Sequence, residues 1–209
     1  ITQTVYDYMP PESIEEQWDL SALESKLQGE YNLKVDMNHF KNTTMGKESE
    51  KQNAVIMGRK TFDSIPNTLP KRRNYVISST KHNDLEPDNV TVYSDIIQAN
   101  YDIVTRKYGY DDIWVVGGEQ LYNWYICNNL IKDVYVTNIL EDYECTSFFP
   151  TLPGTFKKIE SGNVILSKEN KIPYNIDVYR NKFYNLKTQD ELRFEFLKEL
   201  DRVGYYGLI

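Results

Sequence analysis

Cysteine and histidine are scarce in this 209-residue sequence. Cys127 and Cys145, with His39 and His82, supply neither a disulfide framework nor the spacing of a metal centre. No metal site is expected, and a reducing compartment, the cytoplasm, is the simpler setting. Long apolar runs are missing and no signal peptide is visible, so no membrane partner is expected. Basic residues are outnumbered, 24 against 31 acidic, for a net charge of −7. That balance argues against a nucleic-acid partner, whose affinity comes mainly from phosphate neutralisation, but leaves room for a local basic pocket. A Gly-x-Gly-x-x-Gly fingerprint, a Walker A loop, internal repeats and low-complexity linkers are also missing. The first residue is Ile1 rather than Met, which points to a processed, trimmed or incomplete N-terminus.

What remains is ordinary globular composition, 40% apolar and 26% charged, in a chain long enough for one good core and a small appendage. Seventeen tyrosines suit strands and half-buried surfaces. Residues 54–66, AVIMGRKTFDSIP, organise the rest. Four apolar residues without alternation fit a buried strand of a mostly parallel sheet. The run breaks at Gly58 into a basic turn, Arg59 and Lys60, followed by a short helix over 61–65 closed by Pro66. Such a junction can hold an anion, because free helix N–H groups favour negative charge there; a plain strand-to-helix turn with solvated bases is the alternative.

Residues 113–122, IWVVGGEQLY, repeat the logic. An apolar strand breaks at Gly117 and Gly118, whose missing side chains allow a ligand or another backbone to approach, and a helix follows to about residue 126. Between these stretches, 69–74 reads as a turn rich in bases and 75–77 as a strand ending in Ser78, Ser79 and Thr80. A strand over 90–93 precedes a helix over 95–108 capped by Ser94. Residues 36–44 read as a helix with Met37, Phe40, Lys41 and Thr44 along one side, Asp36 serving at least as an N-cap. His39 is expected to be solvated. After a strand over 134–139 and a turn over 142–150, residues 156–183 have antiparallel character, with strands at 164–166 and 176–179. Leu192, Phe196, Leu200 and Val203 outline a C-terminal helix stopped by Gly204. At the front, residues 1–9 are rich in β-formers. Capping boxes at Ser13/Glu16 and Ser21/Glu24 predict one broken helix or two short ones over 12–28. The fold class is α/β, with a mixed, mostly parallel central sheet flanked by helices and an atypical helical N-terminal segment.

Residues 36–183 resemble dihydrofolate reductase. The likeness is carried by DMxxFK (36–41), MGRKTFxSIP (57–66), LPxR (69–72), VISS (76–79), VVGGxxLY (115–122), Thr137 and FFP (148–150), in the family's order and spacing. The resemblance implies NADPH-dependent hydride transfer to 7,8-dihydrofolate, giving tetrahydrofolate, with antifolates as further ligands. It implies that Asp36 assists protonation at N5 and that Thr137 orients its carboxylate. It places Phe40, Ile65 and Leu69 along the folate slot and Arg72 at the glutamate tail. It gives NADPH to Arg59 and Ser79 at the 2′-phosphate, Thr61 at the pyrophosphate, Gly117 and Gly118 beneath it, and Val116 and Tyr122 nearby, with Gly58, Lys60 and Ser78 completing the set.

There are departures from the family's pattern. Glu119 stands where the glycine run usually has its third member, and Thr146 where many members carry an acid. The opening strand and the Leu-Pro-Trp closing element are not recognisable ahead of Asp36. By the resemblance, that strand is expected between the 54–57 strand and the one before Gly117. Either residues 1–9 fill the gap or the chain is chimeric, truncated or permuted. Residues 1–35 resemble a helical stretch of the SecA preprotein translocase ATPase, the likeness carried by 6–24, YDYMPPESIEEQWDLSALE, without that family's nucleotide motifs. Residues 190–200 resemble the opening helix of thymidylate synthase, a fused or associated partner in some bifunctional proteins. Three units are therefore expected: an atypical segment over 1–35, a reductase-like domain over 36–184 and a helical tail over 185–209. The alternative to a working reductase is a catalytically impaired scaffold that binds or interacts.

Overall fold

The computed structural model describes residues 2–6, 34–45, 52–65, 68–80, 87–105, 109–141, 148–167, 171–184 and 198. The chain runs β1 (Thr2–Tyr6), α1 (Lys34–Met45), β2 (Asn53–Gly58), α2 (Arg59–Ser64), β3 (Arg72–Ile77), β4 (Val90–Tyr93), α3 (Ile96–Thr105), β5 (Ile113–Val115), α4 (Glu119–Cys127), β6 (Asp133–Ile139), β7 (Phe156–Ser161), β8 (Ile165–Leu166) and β9 (Pro173–Asn181). The expected segments at 12–28, 142–147 and 185–209 lie outside the described residues, Lys198 excepted.

The α/β class is as expected, and its hydrogen-bond ladders fall into two groups. One is a four-stranded parallel sheet in the order β4-β3-β2-β5. The other has the order β1-β6-β9-β7, with β8 also on β9; β1 and β6 are parallel and the β9 pairings antiparallel. Ala54, Ile56 and Tyr75 from the first sheet share one buried cluster with Val134, Val136 and Phe156 from the second. The rings of Trp114 and Tyr135 meet across the join at 5.5 Å.

This topology corrects one expectation. There is no slot between β2 and β5, because Ala54, Val55 and Ile56 pair directly with Ile113, Trp114 and Val115. Residues 2–6 do form a strand, but beside β6, with Thr2 opposite Tyr135 and Tyr6 opposite Ile139. The backbone groups of β6 are thus paired on both edges, by β1 and β9.

Local expectations shift for identifiable reasons. Helix α2 begins at Arg59, with extended Gly58 as N-cap, so Arg59 and Lys60 are helical rather than a turn. Strand β3 begins at Arg72, because parallel pairing with β2 claims Arg72, Arg73 and Asn74. Asp95, not Ser94, caps α3, its Oδ1 accepting the Ile97 N–H at 2.5 Å. Over residues 36–45 of α1 the buried positions are Asp36 and Thr44, while Met37 and Lys41 face outward.

The parallel sheet buries both faces, as its unbroken apolar strands require. Ala54, Ile56, Tyr75 and Val115 pack with Leu121, Tyr122, Tyr125 and Ile126 of α4 and Ile103 of α3. Val55, Met57, Val76, Val90 and Trp114 occupy the opposite face, against Phe62, Ile65, Leu69 and Val116. Side-chain alternation puts Arg72 and Asn74 of β3 on this second face with Val76.

Asp177 on β9 ties the antiparallel end together. Its carboxylate accepts from Lys158 Nζ at 2.5 Å, Ser161 Oγ at 2.8 Å, Asn175 Nδ2 at 2.9 Å and Asn138 Nδ2 at 3.0 Å. Burial alone would raise its pKa, but the bonds from Lys158, Ser161 and Asn138 outweigh it and carry it below the usual carboxylate value. A folded-state pKa below the unfolded one contributes stability at neutral pH that is lost as pH falls through the folded value. Asp177→Ala is expected to lower stability by about 1–3 kcal/mol at pH 7, because it removes the shared acceptor of four side-chain donors, the buried Asn138 amide among them. Urea melts across the acid range should show a flatter pH dependence for the variant than for the native chain.

Candidate active site

The candidate site assembles on the Val55–Met57 face. Asp36 lies in the first turn of α1, 7% exposed, and Thr137 lies in the middle of β6, 1% exposed. Thr137 Oγ1 donates to Asp36 Oδ1 at 2.7 Å. The N-cap alternative for Asp36 gives way to a tertiary contact between two elements far apart in sequence. Thr137 is set in register by Thr4 of β1 on one side and Ile176 of β9 on the other.

Among the described residues Arg72 is the largest fully buried side chain, with 1% exposure. Its Nε donates to Pro70 O at 3.1 Å and Nη1 to Thr44 Oγ1 at 2.5 Å. Burial lowers its pKa to about 10, so it is still a cation at neutral pH. The same α1 thus contributes Asp36 at one end and the arginine's hydroxyl partner at the other. Phe40, Ile65 and Leu69 are half-buried. Asn74 fixes the turn carrying Leu69, donating to Leu69 O at 3.0 Å and accepting from Leu69 N–H at 3.3 Å.

At the C-terminal ends of β2 and β5 the backbones meet. Gly58 N–H donates to Gly117 O at 2.8 Å, and Val116 N–H to Ile56 O at 2.9 Å. Gly117 has φ of 138°, a conformation that side chains rarely adopt, and a Cβ there would lie 2.9 Å from Thr61 Oγ1. Gly118 is less constrained, with its nearest contact 3.6 Å away. Gly118 then caps α4, at whose first position Glu119 is exposed. Tyr122 is buried and edge-packed on Phe149 at 5.1 Å, in the core of the opposite face.

Arg59, Ser78 and Ser79 follow directly on the paired ends of neighbouring strands, Gly58 and Ile77. Ser78 is buried and exchanges a hydrogen bond with Thr80 at 3.1 Å, whereas Lys60 and Ser79 are exposed. So the structure brings Asp36 with Thr137, Arg72 with α1, and Gly58 with Thr61, Gly117 and Gly118. It leaves Lys60 and Ser79 at the rim.

Three supporting residues carry no recognisable sequence signal. Asn53 donates to Thr44 O at 2.9 Å and accepts the Asp112 N–H at 3.0 Å, which locks α1, β2 and the lead into β5. Thr44 and Asn74 do comparable work around Arg72 and Leu69.

A sequence model of the family described as dihydrofolate reductase matches residues 24–181. The chain is 31% identical to dihydrofolate reductase of Drosophila melanogaster over 133 residues, 62% of this chain and 72% of that protein. It is 27% identical to that of Aedes albopictus over 158 residues, covering 71% and 85%. It is 34% identical to the bifunctional dihydrofolate reductase-thymidylate synthase of Daucus carota over 170 residues, 76% of this chain but 32% of that longer protein. The buried Asp–Thr pair, the glycine junction and this match agree. The chain belongs to the dihydrofolate reductase family. The match begins at residue 24, inside the segment expected to be atypical. The stretch likened to SecA, about residues 1–35, overlaps the start of the match and, residues 2–6 and 34–35 apart, lies outside the described residues.

Proposed function

We propose that this chain reduces 7,8-dihydrofolate to tetrahydrofolate with NADPH. The observation that carries this reading is the buried carboxylate of Asp36, held by Thr137 at 2.7 Å on the face that also carries Arg72. A carboxylate accepts two parallel N–H bonds, which suits the 2-amino and N3–H edge of a pterin. A negative charge fixed there raises the proton affinity of the ring, which favours proton delivery at N5. Phe40, Ile65 and Leu69 supply apolar walls, and Arg72 supplies a cation for the carboxylate of the glutamate tail.

The glycine junction fits a dinucleotide, since Gly117 and Gly118 offer backbone without side chains beside Thr61. Gly58, Arg59, Lys60, Thr61, Ser78, Ser79, Val116 and Tyr122 complete the proposed set around it. Bound NADPH would supply the hydride that C6 of the pterin receives. Asp36 and Thr137 hold the ring, and Arg72 fixes the far end, so the reacting carbon is presented in one orientation.

Strand β1 beside β6 supports this reading over an impaired scaffold, because it restores a strand ahead of Asp36. On the same reading, residues 36–184 with β1 form the reductase unit, the setting is cytoplasmic, and 185–209 lead toward a fused or associated thymidylate synthase. Among the described residues no helix is long and apolar enough to cross a membrane. The test is loss of NADPH absorbance on adding dihydrofolate, together with thermal protection by methotrexate. Protection with turnover supports the reductase; protection without turnover returns the scaffold; neither overturns the site. Arg72→Leu is expected to weaken methotrexate by roughly 10–100-fold, the scale of a charged hydrogen bond lost. The same substitution should leave an antifolate lacking the glutamate tail nearly unaffected, as competition titrations would show.

A further inference from the structure

We infer that Asp63 sets how strongly this chain prefers a dinucleotide bearing a 2′-phosphate, by holding Arg59 in an ion pair that the phosphate must share. The inference rests on the reading of Arg59 as a cofactor ligand. Arg59 Nε lies 2.7 Å from Asp63 Oδ1, with the side chains 34% and 53% exposed, so a ligand can reach the pair. The guanidinium also stands 5.5 Å from the centroid of the Phe62 ring. Phe62 in turn packs on the buried cluster of Val55, Met57 and Val76. An aromatic ring therefore fixes the arginine from one side and a carboxylate from another.

Local helix stability does not account for this pair. Arg59 opens α2 and Asp63 sits in its last turn. That puts the cation at the N-terminal end and the anion at the C-terminal end, against the macrodipole at both. A basic residue four positions ahead of an acidic one is also the poorer order for a helical pair. What the pair does achieve is to lower the positive charge beside Ser78 and Ser79, where paired β2 and β3 end. A phosphate monoester dianion approaching Arg59 there meets the guanidinium and the like charge of Asp63 together. An asparagine would keep the shape and remove the repulsion.

The test is calorimetric titration of the full chain with adenosine 2′,5′-bisphosphate and with 5′-AMP, neither of which requires turnover. Variants are Asp63→Asn, Asp63→Glu and Arg59→Ala. Asp63→Asn is expected to tighten the bisphosphate by about 3–10-fold at low salt, with 5′-AMP little changed, and the gain should shrink as salt screens it. Asp63→Glu, which keeps the charge, should stay near the native ratio, and Arg59→Ala should erase the preference. An unchanged or reduced ratio in Asp63→Asn, with Arg59→Ala still erasing the preference, overturns the role of Asp63 alone. A native chain that does not distinguish the two nucleotides, with Arg59→Ala inert, overturns the placement of Arg59 itself.

Discussion

Asparagine at position 36 is expected to cut NADPH-dependent turnover by about 10²–10⁴-fold, the usual contribution of a positioned acid–base group, while the fold survives. The amide has nearly the shape of the carboxylate, and its Oδ1 can still accept from Thr137 Oγ1, which now lies 2.7 Å from Asp36. What it lacks is the negative charge that favours a proton on the bound ring. The measurement is kcat with dihydrofolate at saturating NADPH, beside a thermal melt. A melt close to native with turnover gone assigns the charge to the reaction. Native turnover in the variant would remove Asp36 from the chemistry, and a collapsed melt would make it a structural carboxylate.

Alanine at Gly117 should be the most damaging small change at the glycine junction, the proposed cofactor end. The residue sits at φ of 138°, and the added Cβ would meet Thr61 Oγ1 at 2.9 Å and Thr61 Cγ2 at 3.1 Å. Such a backbone conformation costs a non-glycine residue about 1–3 kcal/mol before the clash is counted. Gly118→Ala is the control, with its nearest contact 3.6 Å away. Urea melts should separate the two variants clearly, and dinucleotide affinity should fall at least tenfold in Gly117→Ala, about 1.4 kcal/mol. Removing Thr61 as well should recover the steric share and leave the conformational one, so the double variant measures the coupling. Equal melts for Gly117→Ala and Gly118→Ala would refute the account.

Much of the parallel half was readable because apolar runs and their glycine breaks are local signals. Residues 54–57 and 113–115 announced buried strands, and Gly117 and Gly118 announced a close approach. The extent of β3 was not readable, since Arg72, Arg73 and Asn74 look like loop residues until β2 pairs with them. The cap of α3 was misplaced by one residue because serine and aspartate serve equally well in isolation. The side of α1 that turns inward was misjudged for a related reason: its partners are Thr137 and Arg72, polar groups that an apolar pattern does not reveal. Pairing order depends on contacts remote in sequence, so the position of β1 beside β6 had no local trace at all.

That remoteness has a consequence for how the molecule is made. Residues 2–6 are synthesised well before residues 135–139, the strand they pair with. While the four-stranded sheet can assemble from neighbours along the chain, this segment must wait, its backbone hydrogen-bonded to water, until β6 has been translated. Joining ends so distant carries a large loop-closure cost, which slows the step relative to local pairing. Because Thr4 flanks Thr137, the partner of Asp36, the edge of β6 beside this buried pair is closed only when β1 docks.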